Sequence, residues 1–350
     1  MLGSVLFLEV CLHSDALAVS IREIVAKLAP LQPAEREALL REEAKKEGQI
    51  MLYGSLLAEA VPIVQKAFSA DHPSVTLENY RGIKETILNR VQTEARAGKY
   101  NADVIQVDLS YGLSLIKANL VAPHSLADTS RYFRGTFDEK GYWHTIFIQT
   151  TALAYNRKAV RPDQVPRTYQ DLLHPKWKGK MVFDPEAGYI LAAMQDGWGR
   201  DKALSYLGEL SRQNIHFVRS QGLTTQLVSA GEYDIAIALN GQSAAEVREK
   251  GAPLGFAVLA PKIFKPSAVL LAANAPHPYS AILFLQWVLS ERGQKVFANL
   301  GRGVAMKGIE VRHKEFQIEP DYVVGLEYGA ALTRYLDEFH EIFGLPRTRK

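Results

Sequence analysis

The sequence contains a single cysteine, Cys11, among its 350 residues. An intrachain disulfide is therefore impossible, and no Cys/His cluster has the spacing of a zinc site. No stretch of about 18 uncharged apolar residues is present to span a membrane. The charge is close to balanced, with 41 basic and 38 acidic residues and no long basic run. This distribution argues against nucleic acid as a partner.

Sequence motifs of common catalytic sites are also missing. The chain has no G-x-S-x-G elbow, no H-E-x-x-H helix and no G-x-x-x-x-G-K-[ST] phosphate loop. We therefore assign no catalytic residue, no metal ligand and no cofactor. The sequence predicts a binding protein rather than an enzyme.

With 47% hydrophobic and 23% charged residues, the composition is typical of a globular protein, and the chain is long enough for two modest domains or lobes. Strand and helix patterns alternate along it, which indicates an α/β protein. An apolar run at 145–156, TIFIQTTALAYN, predicts a buried strand that passes from one lobe to the other. A second apolar strand at 267–273 follows Pro266 and predicts another crossing. A cleft between two lobes suits a small ligand.

The N-terminal region allows more than one interpretation. Residues 1–18 contain a short apolar stretch and an A-x-A ending at Ala18, as in a secretory signal. A positive n-region is missing and Glu9 interrupts the apolar stretch, so a mis-assigned start or an amphipathic helix remains an alternative. Helical patterns follow at 15–28 and 33–47, and we expect residues 19–48 to form a solvated helical prefix.

The first lobe is predicted to contain three strands, at 49–53, 75–80 and 102–107, each followed by a helix. Turns follow these strands at Gly54-Ser55, Arg81-Gly82 and residues 108–110. In open parallel sheets, ligands bind beyond the carboxyl ends of the strands, near helix N-termini. The three turns therefore predict one wall of a binding cleft.

Side chains at these turns have two interpretations each. Ser55 and Ser110 are equally suited to capping a helix and to contacting a ligand. Asp108 is suited to a cap or to a cationic group or metal. Arg81 is not needed as a cap, so we expect it to bind a carboxylate or phosphate group of the ligand.

From the region of the second lobe onward, the sequence resembles a known family. The segment DLLHPKWKGK at 171–180 is similar to one in bacterial periplasmic solute-binding proteins of ABC importers, in the group that includes the ferric-ion-binding proteins. Further similar segments are LYGS at 52–55, ADVI at 102–105, AYN at 154–156, LVSAGEYDIAI at 227–237 and HPYSAILFLQWVLSERGQKVFANLGR at 277–302. The resemblance covers about residues 45–312, in family order.

The resemblance implies an α/β type II periplasmic-binding-protein fold, with two α/β lobes joined by a two-strand hinge. The lobes are expected at 49–152 plus 264–308 and at 153–263 plus 309–345. It also implies a periplasmic monomer that binds a small-molecule solute and delivers it to an ABC transporter permease, without nucleic acid. The alternative is a non-transport use of the fold, as an enzyme or a ligand-sensing module.

The sequence departs from the ferric-ion-binding pattern at residues 240–243. Ferric-binding members of the family usually have adjacent tyrosines there, whereas this chain has Asn240-Gly241-Gln242-Ser243. Amide and hydroxyl groups form hydrogen bonds but are poor substitutes for two phenolates. We therefore predict a hydrogen-bonding organic anion rather than ferric iron, with a helix cap as the alternative role of this segment.

The start of a second-lobe helix at 186–189 would face the cleft in this family. Gly188 could allow a ligand to approach the backbone, and Tyr189 could stack on it or pack in the core. Thr151 lies in the crossing strand and could touch the ligand from the hinge. The predicted ligand-binding residues are thus Ser55, Arg81, Asp108, Ser110, Thr151, Gly188, Tyr189, Asn240, Gln242 and Ser243.

Overall fold

The computed structural model of the chain describes residues 20–125 and 128–346, and the candidate signal segment 1–18 lies outside them. Its helices are α1 Ile21–Leu28, α2 Pro33–Glu47, α3 Val61–Asp71, α4 Lys84–Arg96, α5 Leu109–Lys117, α6 Gly188–Trp198, α7 Arg200–Leu210, α8 Gln221–Ala230, α9 Gly241–Glu249, α10 Pro278–Leu289, α11 Glu291–Asn299, α12 Leu326–Ala330 and α13 Leu332–Phe343. Its strands are β1 Gln49–Gly54, β2 Thr76–Arg81, β3 Val104–Asp108, β4 Val121–Ala122, β5 His144–Asn156, β6 Met181–Phe183, β7 His216–Phe217, β8 Ile235–Asn240, β9 Leu254–Ala257, β10 Ile263–Ala272 and β11 Tyr322–Val323.

Strand β5 belongs to two sheets. Its first half, residues 144–150, pairs antiparallel with β10. Its second half, residues 151–156, pairs antiparallel with β8 and β9. Apolar β-formers favour the extended conformation along this strand, and nearly all of its residues are buried. The predicted crossing at 145–156 is thus confirmed as one continuous strand.

The second crossing, β10, starts four residues before the predicted strand and includes Pro266. A proline inside a central strand removes one ladder hydrogen bond. Here the residue opposite Pro266 is Ile148, whose carbonyl oxygen accepts a hydrogen bond from the N–H of Gly303 (3.1 Å) and whose own N–H donates to the carbonyl of Gly303 (2.8 Å). Because both main-chain groups of Ile148 are paired with Gly303, the missing N–H of Pro266 leaves no acceptor on Ile148 unsatisfied.

The first sheet has the order β2-β1-β3-β10-β5, and the second continues from β5 through β8 and β6 to β7. Strands β2, β1 and β3 are parallel to one another. Their carboxyl ends therefore lie at one edge of the sheet, as the sequence predicts. Strands β8, β6 and β7 form the corresponding parallel group in the second sheet.

Two main hydrophobic cores lie on either side of the crossing strands, and we use them to define the first and second lobes. The first core surrounds Phe68, Phe284 and Phe297. Helices α10 and α11 pack into it, although they come late in the chain, as expected from the family resemblance. The second core surrounds Phe183 and Phe339. Each core contains enough large buried side chains to stabilise a lobe.

The N-terminal helices do not form a solvated prefix. Three side chains of α1, Ile21, Ile24 and Leu28, are almost fully buried, as is Leu40 of α2. The carboxylate of Glu47, at the end of α2, accepts hydrogen bonds from the first N–H groups of α10 (3.0 and 2.7 Å). These helices are part of the first core, because their apolar positions at helical spacing cover α10.

The C-terminal helices contact both lobes. Phe339 of α13 is fully buried in the second core. Helix α12 lies instead on α5 of the first lobe, where a Cβ placed on Gly329 would be 3.2 Å from the Cα of Ser110. The exact lobe boundaries, including 309–345 in the second lobe, stay a prediction.

Two helical glycines give a matched test of how closely α11 packs against the end of α10. A Cβ added at Gly293 in α11 would overlap the carbonyl oxygen of Trp287 and lie 2.7 Å from the Cα of Val288, whereas one at Gly208 in α7 meets nothing within 4 Å. We expect Gly293→Ala to lower the free energy of unfolding by about 2 kcal/mol through backbone overlap. Gly208→Ala should raise it by up to about 1 kcal/mol through helix propensity. Urea denaturation monitored by circular dichroism measures both, and equal effects would contradict this packing.

Candidate ligand-binding cleft

A cavity of about 660 Å³ lies between the two lobes. Its volume is in the range of sites for small organic molecules. The first lobe contributes the turns that follow β1, β2 and β3, and the second lobe contributes the start of α9. The side chains that border it include Ser55, Arg81, Lys84, Glu85, Gln106, Asp108, Phe147, Gln149, Arg219, Asn240, Ser243, Ser267 and Arg302.

Gln106 organises the first-lobe wall. It is a buried amide between the apolar residues Ile105 and Val107 of strand β3. Its Oε1 accepts a hydrogen bond from the backbone N–H of Ser55 (2.7 Å), and its Nε2 donates to the hydroxyl of Ser267 in β10. The side chain also passes close to Gly54, where a Cβ would be 2.8 Å from Oε1. One amide thus fixes the β1 turn relative to the hinge strand.

Arg81 lies at the carboxyl end of β2 and borders the cavity, where the sequence places it. Its Nε donates to the carbonyl oxygen of Leu56 (2.8 Å). This bond orients the guanidinium, and because it goes to a neutral oxygen it does not neutralise the charge. The arrangement leaves a positioned cation at the rim of the cavity.

Asp108 also borders the cavity, but its carboxylate makes no hydrogen bond that would cap α5. Instead it forms an ion pair with Lys84 at the start of α4. The neighbouring carboxylate of Glu85 accepts a hydrogen bond from the hydroxyl of Tyr111, which lowers the pKa of Glu85. The pKa of Tyr111 is raised, mainly by burial and next by the nearby Glu85 carboxylate. Tyr111 therefore stays protonated and acts as the hydrogen-bond donor. Both acidic groups of this wall thus have partners within the first lobe.

Asn240 begins the second-lobe wall as the N-cap of α9. Its side-chain Oδ1 accepts a hydrogen bond from the backbone N–H of Ser243 (3.2 Å). Its own N–H donates to Oε1 of Gln221 (3.0 Å). The cap interpretation of this segment is therefore confirmed, and Asn240 and Ser243 both border the cavity as well.

Two arginines that sequence reasoning did not select also border the cavity. Arg219 follows β7 and lies 3.4 Å from a carboxylate oxygen of Glu186, with both side chains largely exposed. Arg302 follows α11, and its side chain is only 9% exposed. It donates to the hydroxyl of Ser243 (3.2 Å) and pairs with the carboxylate of Glu246 (3.1 Å).

Five of the ten predicted ligand-binding residues border the cavity, namely Ser55, Arg81, Asp108, Asn240 and Ser243. The other five have different surroundings. Thr151 and Gln242 are buried at the hinge, where the Gln242 amide accepts from the N–H of Thr150 (2.9 Å) and donates to its hydroxyl (2.9 Å). Gln242 thus joins α9 to β5.

The remaining predicted residues lie against other helices. A Cβ on Gly188 would be 3.1 Å from Leu336 of α13, so this glycine permits close helix packing. Tyr189 is buried and donates to the carbonyl oxygen of Ala238 (3.2 Å), which agrees with its packing interpretation. Ser110 lies beside α12. Ligand contact by any of the ten residues stays a prediction.

The cavity border carries four basic side chains and two acidic ones. No tyrosine, histidine or cysteine is among the described residues that border it. Within the described residues there is also no group of three or more His, Cys, Asp or Glu side chains that could hold a metal ion. The chemistry of the cleft is therefore that of guanidinium, amide and hydroxyl donors, which suits oxyanions.

A family model of bacterial extracellular solute-binding proteins matches residues 64–322. The match spans most of the chain, and the protein belongs to this family, whose members supply solutes to ABC transporter permeases. Family members bind solutes rather than catalyse reactions, which confirms the prediction that the chain is not an enzyme.

Individual relatives are distant in sequence but similar in structure. The Fe(3+)-binding periplasmic protein of Serratia marcescens is 24% identical over 233 residues, which are 63% of this chain and 68% of that protein. A Trichodesmium protein in complex with iron and citrate has a TM-score of 0.72 at 20% identity, covering 84% of this chain and 99% of that one.

The periplasmic binding protein AfuA of Actinobacillus pleuropneumoniae, with fructose-6-phosphate bound, has a TM-score of 0.67 at 21% identity, covering 85% and 99% of the two chains. These structures confirm the type II periplasmic-binding fold. Since one holds a metal and the other a sugar phosphate, the fold does not decide the solute. In the parts of this chain that the structure describes, every helix is too short or too polar to cross a membrane.

The N-cap of α9 gives a direct test of the second-lobe wall. Asn240→Ala removes the acceptor for the Ser243 N–H, and we expect a loss of about 1 kcal/mol in the free energy of unfolding. Asn240→Asp keeps a side-chain acceptor and should unfold within about 0.5 kcal/mol of wild type. Urea denaturation without added solute measures both variants. Equal loss in Ala and Asp variants would contradict the capping role.

Proposed function

We propose that the protein is the periplasmic substrate-binding component of an ABC importer, and that it binds a small organic anion in the cleft between its lobes. The observation that carries this proposal is the excess of basic side chains around the cavity, four against two acidic ones. The bound solute would then be delivered to a membrane permease by a monomeric protein, as the family resemblance implies.

Three of the four basic groups have carboxylate partners. Lys84 pairs with Asp108, Arg219 with Glu186 and Arg302 with Glu246. Arg81 is held by a neutral carbonyl oxygen. Its charge is therefore available to a carboxylate or phosphate group, which a guanidinium binds through two parallel N–H donors.

Hydroxyl and amide groups on both walls complement this charge. Ser55 and Gln106 belong to the first lobe, and Asn240 and Ser243 to the second. Such groups would form hydrogen bonds with the uncharged part of a solute and with its anion. A solute held from both walls favours the closed arrangement of the lobes, because its contacts exist only there.

Ferric iron fits this cleft poorly. Hard ferric ions favour phenolate and carboxylate oxygens, and α9 starts here with an amide cap instead of tyrosines. The carboxylates that border the cavity are those already paired with Lys84 and Tyr111. We therefore propose an organic anion even though iron is bound by several proteins of similar fold.

Mass spectrometry of solute released from the purified full-length protein would identify the natural ligand, which we expect to carry a carboxylate or phosphate group. Arg81→Gln should retain at least tenfold less of this solute than wild type, because the charged partner is lost. Arg96→Gln is the matched control, since Arg96 bonds a carbonyl oxygen of the same lobe away from the cavity. A neutral or cationic ligand, or equal retention by both variants, would contradict the proposal.

Iron can be tested by colour. Adding ferric citrate to the full-length protein should produce no phenolate-to-iron absorption band in the visible region, because tyrosine does not border the cavity among the described residues. The same titration on a ferric-binding protein with paired tyrosines provides the positive control. A stoichiometric visible band from this chain would contradict the assignment of an organic anion.

A further inference from the structure

Arg302 occupies an unusual position for a charged side chain. It follows Gly301, which has a left-handed backbone (φ +79°) after α11. The side chain is 9% exposed, and its guanidinium lies 6.0 Å from the centre of the Phe147 ring. Burial of a guanidinium is costly unless it is paired. Its partners come from α9, across the hinge from the first core.

Residues 302–316 and helix α9 are joined by three arginine–glutamate ion pairs. Arg302 pairs with Glu246 (3.1 Å), Arg312 with Glu249 (2.7 Å), and Arg248 with Glu315 (2.6 Å). Arg312 is half exposed, so its pair contributes little. Arg302 is much more buried. All six side chains belong to the part of the chain that the structure describes, and among them only Arg302 borders the cavity.

The two members of the Arg302 pair differ in exposure. The Glu246 side chain is 26% exposed, against 9% for Arg302. A carboxylate with access to water regains hydration when it loses a partner, whereas a buried guanidinium does not. Arg302 therefore needs an anionic partner at all times, and Glu246 does not need a cationic one.

We propose that Arg302 is a specificity-determining residue, which exchanges the Glu246 carboxylate for the anionic group of the solute. This inference rests on the proposed function, since it assumes that the solute is an anion. A neutral solute cannot displace Glu246, because it offers the buried guanidinium no charge. Selection for anions thus follows from competition with an internal carboxylate.

The same exchange links binding to the connection between lobes. Arg302 belongs to the chain segment that leaves the first-lobe helix α11, and Glu246 belongs to α9 of the second lobe. An anion that takes over Arg302 also releases one contact between these elements. By linkage, weakening the Glu246 contact must strengthen anion binding.

The experiment measures binding of three probes, glucose 6-phosphate, citrate and glucose, to full-length variants by isothermal titration. Glu246→Gln removes the competing charge, and we expect about three- to tenfold tighter binding of whichever anionic probe binds wild type. Arg302→Gln should bind that anion about 10- to 100-fold more weakly than wild type does. The affinity of Arg302→Lys should lie between those of wild type and Arg302→Gln. Arg312→Gln, from the neighbouring ion pair outside the cavity, should stay within about twofold of wild type.

The outcomes separate this inference from the proposed function. If wild type binds neither anion, the anionic function fails and this inference fails with it. If wild type binds an anion that Arg302→Gln binds equally well, only this inference is overturned. Should Arg302→Gln fail to fold by circular dichroism, Glu246→Gln decides, since unchanged or weaker anion affinity in that variant contradicts the exchange.

Discussion

Backbone hydrogen bonding by a single strand, β5, determines the architecture of this protein. Because β5 is longer than either sheet needs, its first half pairs with β10 and its second half with β8 and β9. The two hydrophobic cores lie on opposite sides of that change of partner. The start of α9 in the second lobe then faces the carboxyl ends of the parallel strands in the first sheet. The cleft is the space between these two edges.

The cleft is held in shape by polar side chains that each serve a structural purpose. Gln106 connects the β1 turn to β10, Asn240 caps α9, and Gln242 connects α9 to β5. Such residues keep the walls preorganised, so that a solute does not have to order them on binding. Charge is supplied by separate side chains, chiefly arginines that come from distant parts of the chain.

Local sequence pattern was sufficient for the crossings, the three parallel strands and the residues directly after them, since burial and turn chemistry act over a few residues. Ser55, Arg81 and Asp108 border the cavity for this reason. The sequence could not place Gly188, whose neighbour Leu336 lies far along the chain, or reveal that Gln242 turns to the hinge. Arg219 and Arg302 carried no local signal, whereas Gln106 did, as an amide between the apolar residues Ile105 and Val107 of a buried strand. The apolar spacing of α1 likewise indicated burial.

We propose that an oxyanion-bearing solute binds in the gap between the lobes, and on no other surface, through guanidinium and amide donors. A crystal structure of the full-length protein with the solute that co-purifies with it would locate this solute. We expect ligand density between the lobes, with an anionic group within hydrogen-bonding distance of Arg81 or Arg302 and contacts to the N-terminus of α9. Density on an outer face, or a metal ion bound in the cleft without an organic anion, would contradict it.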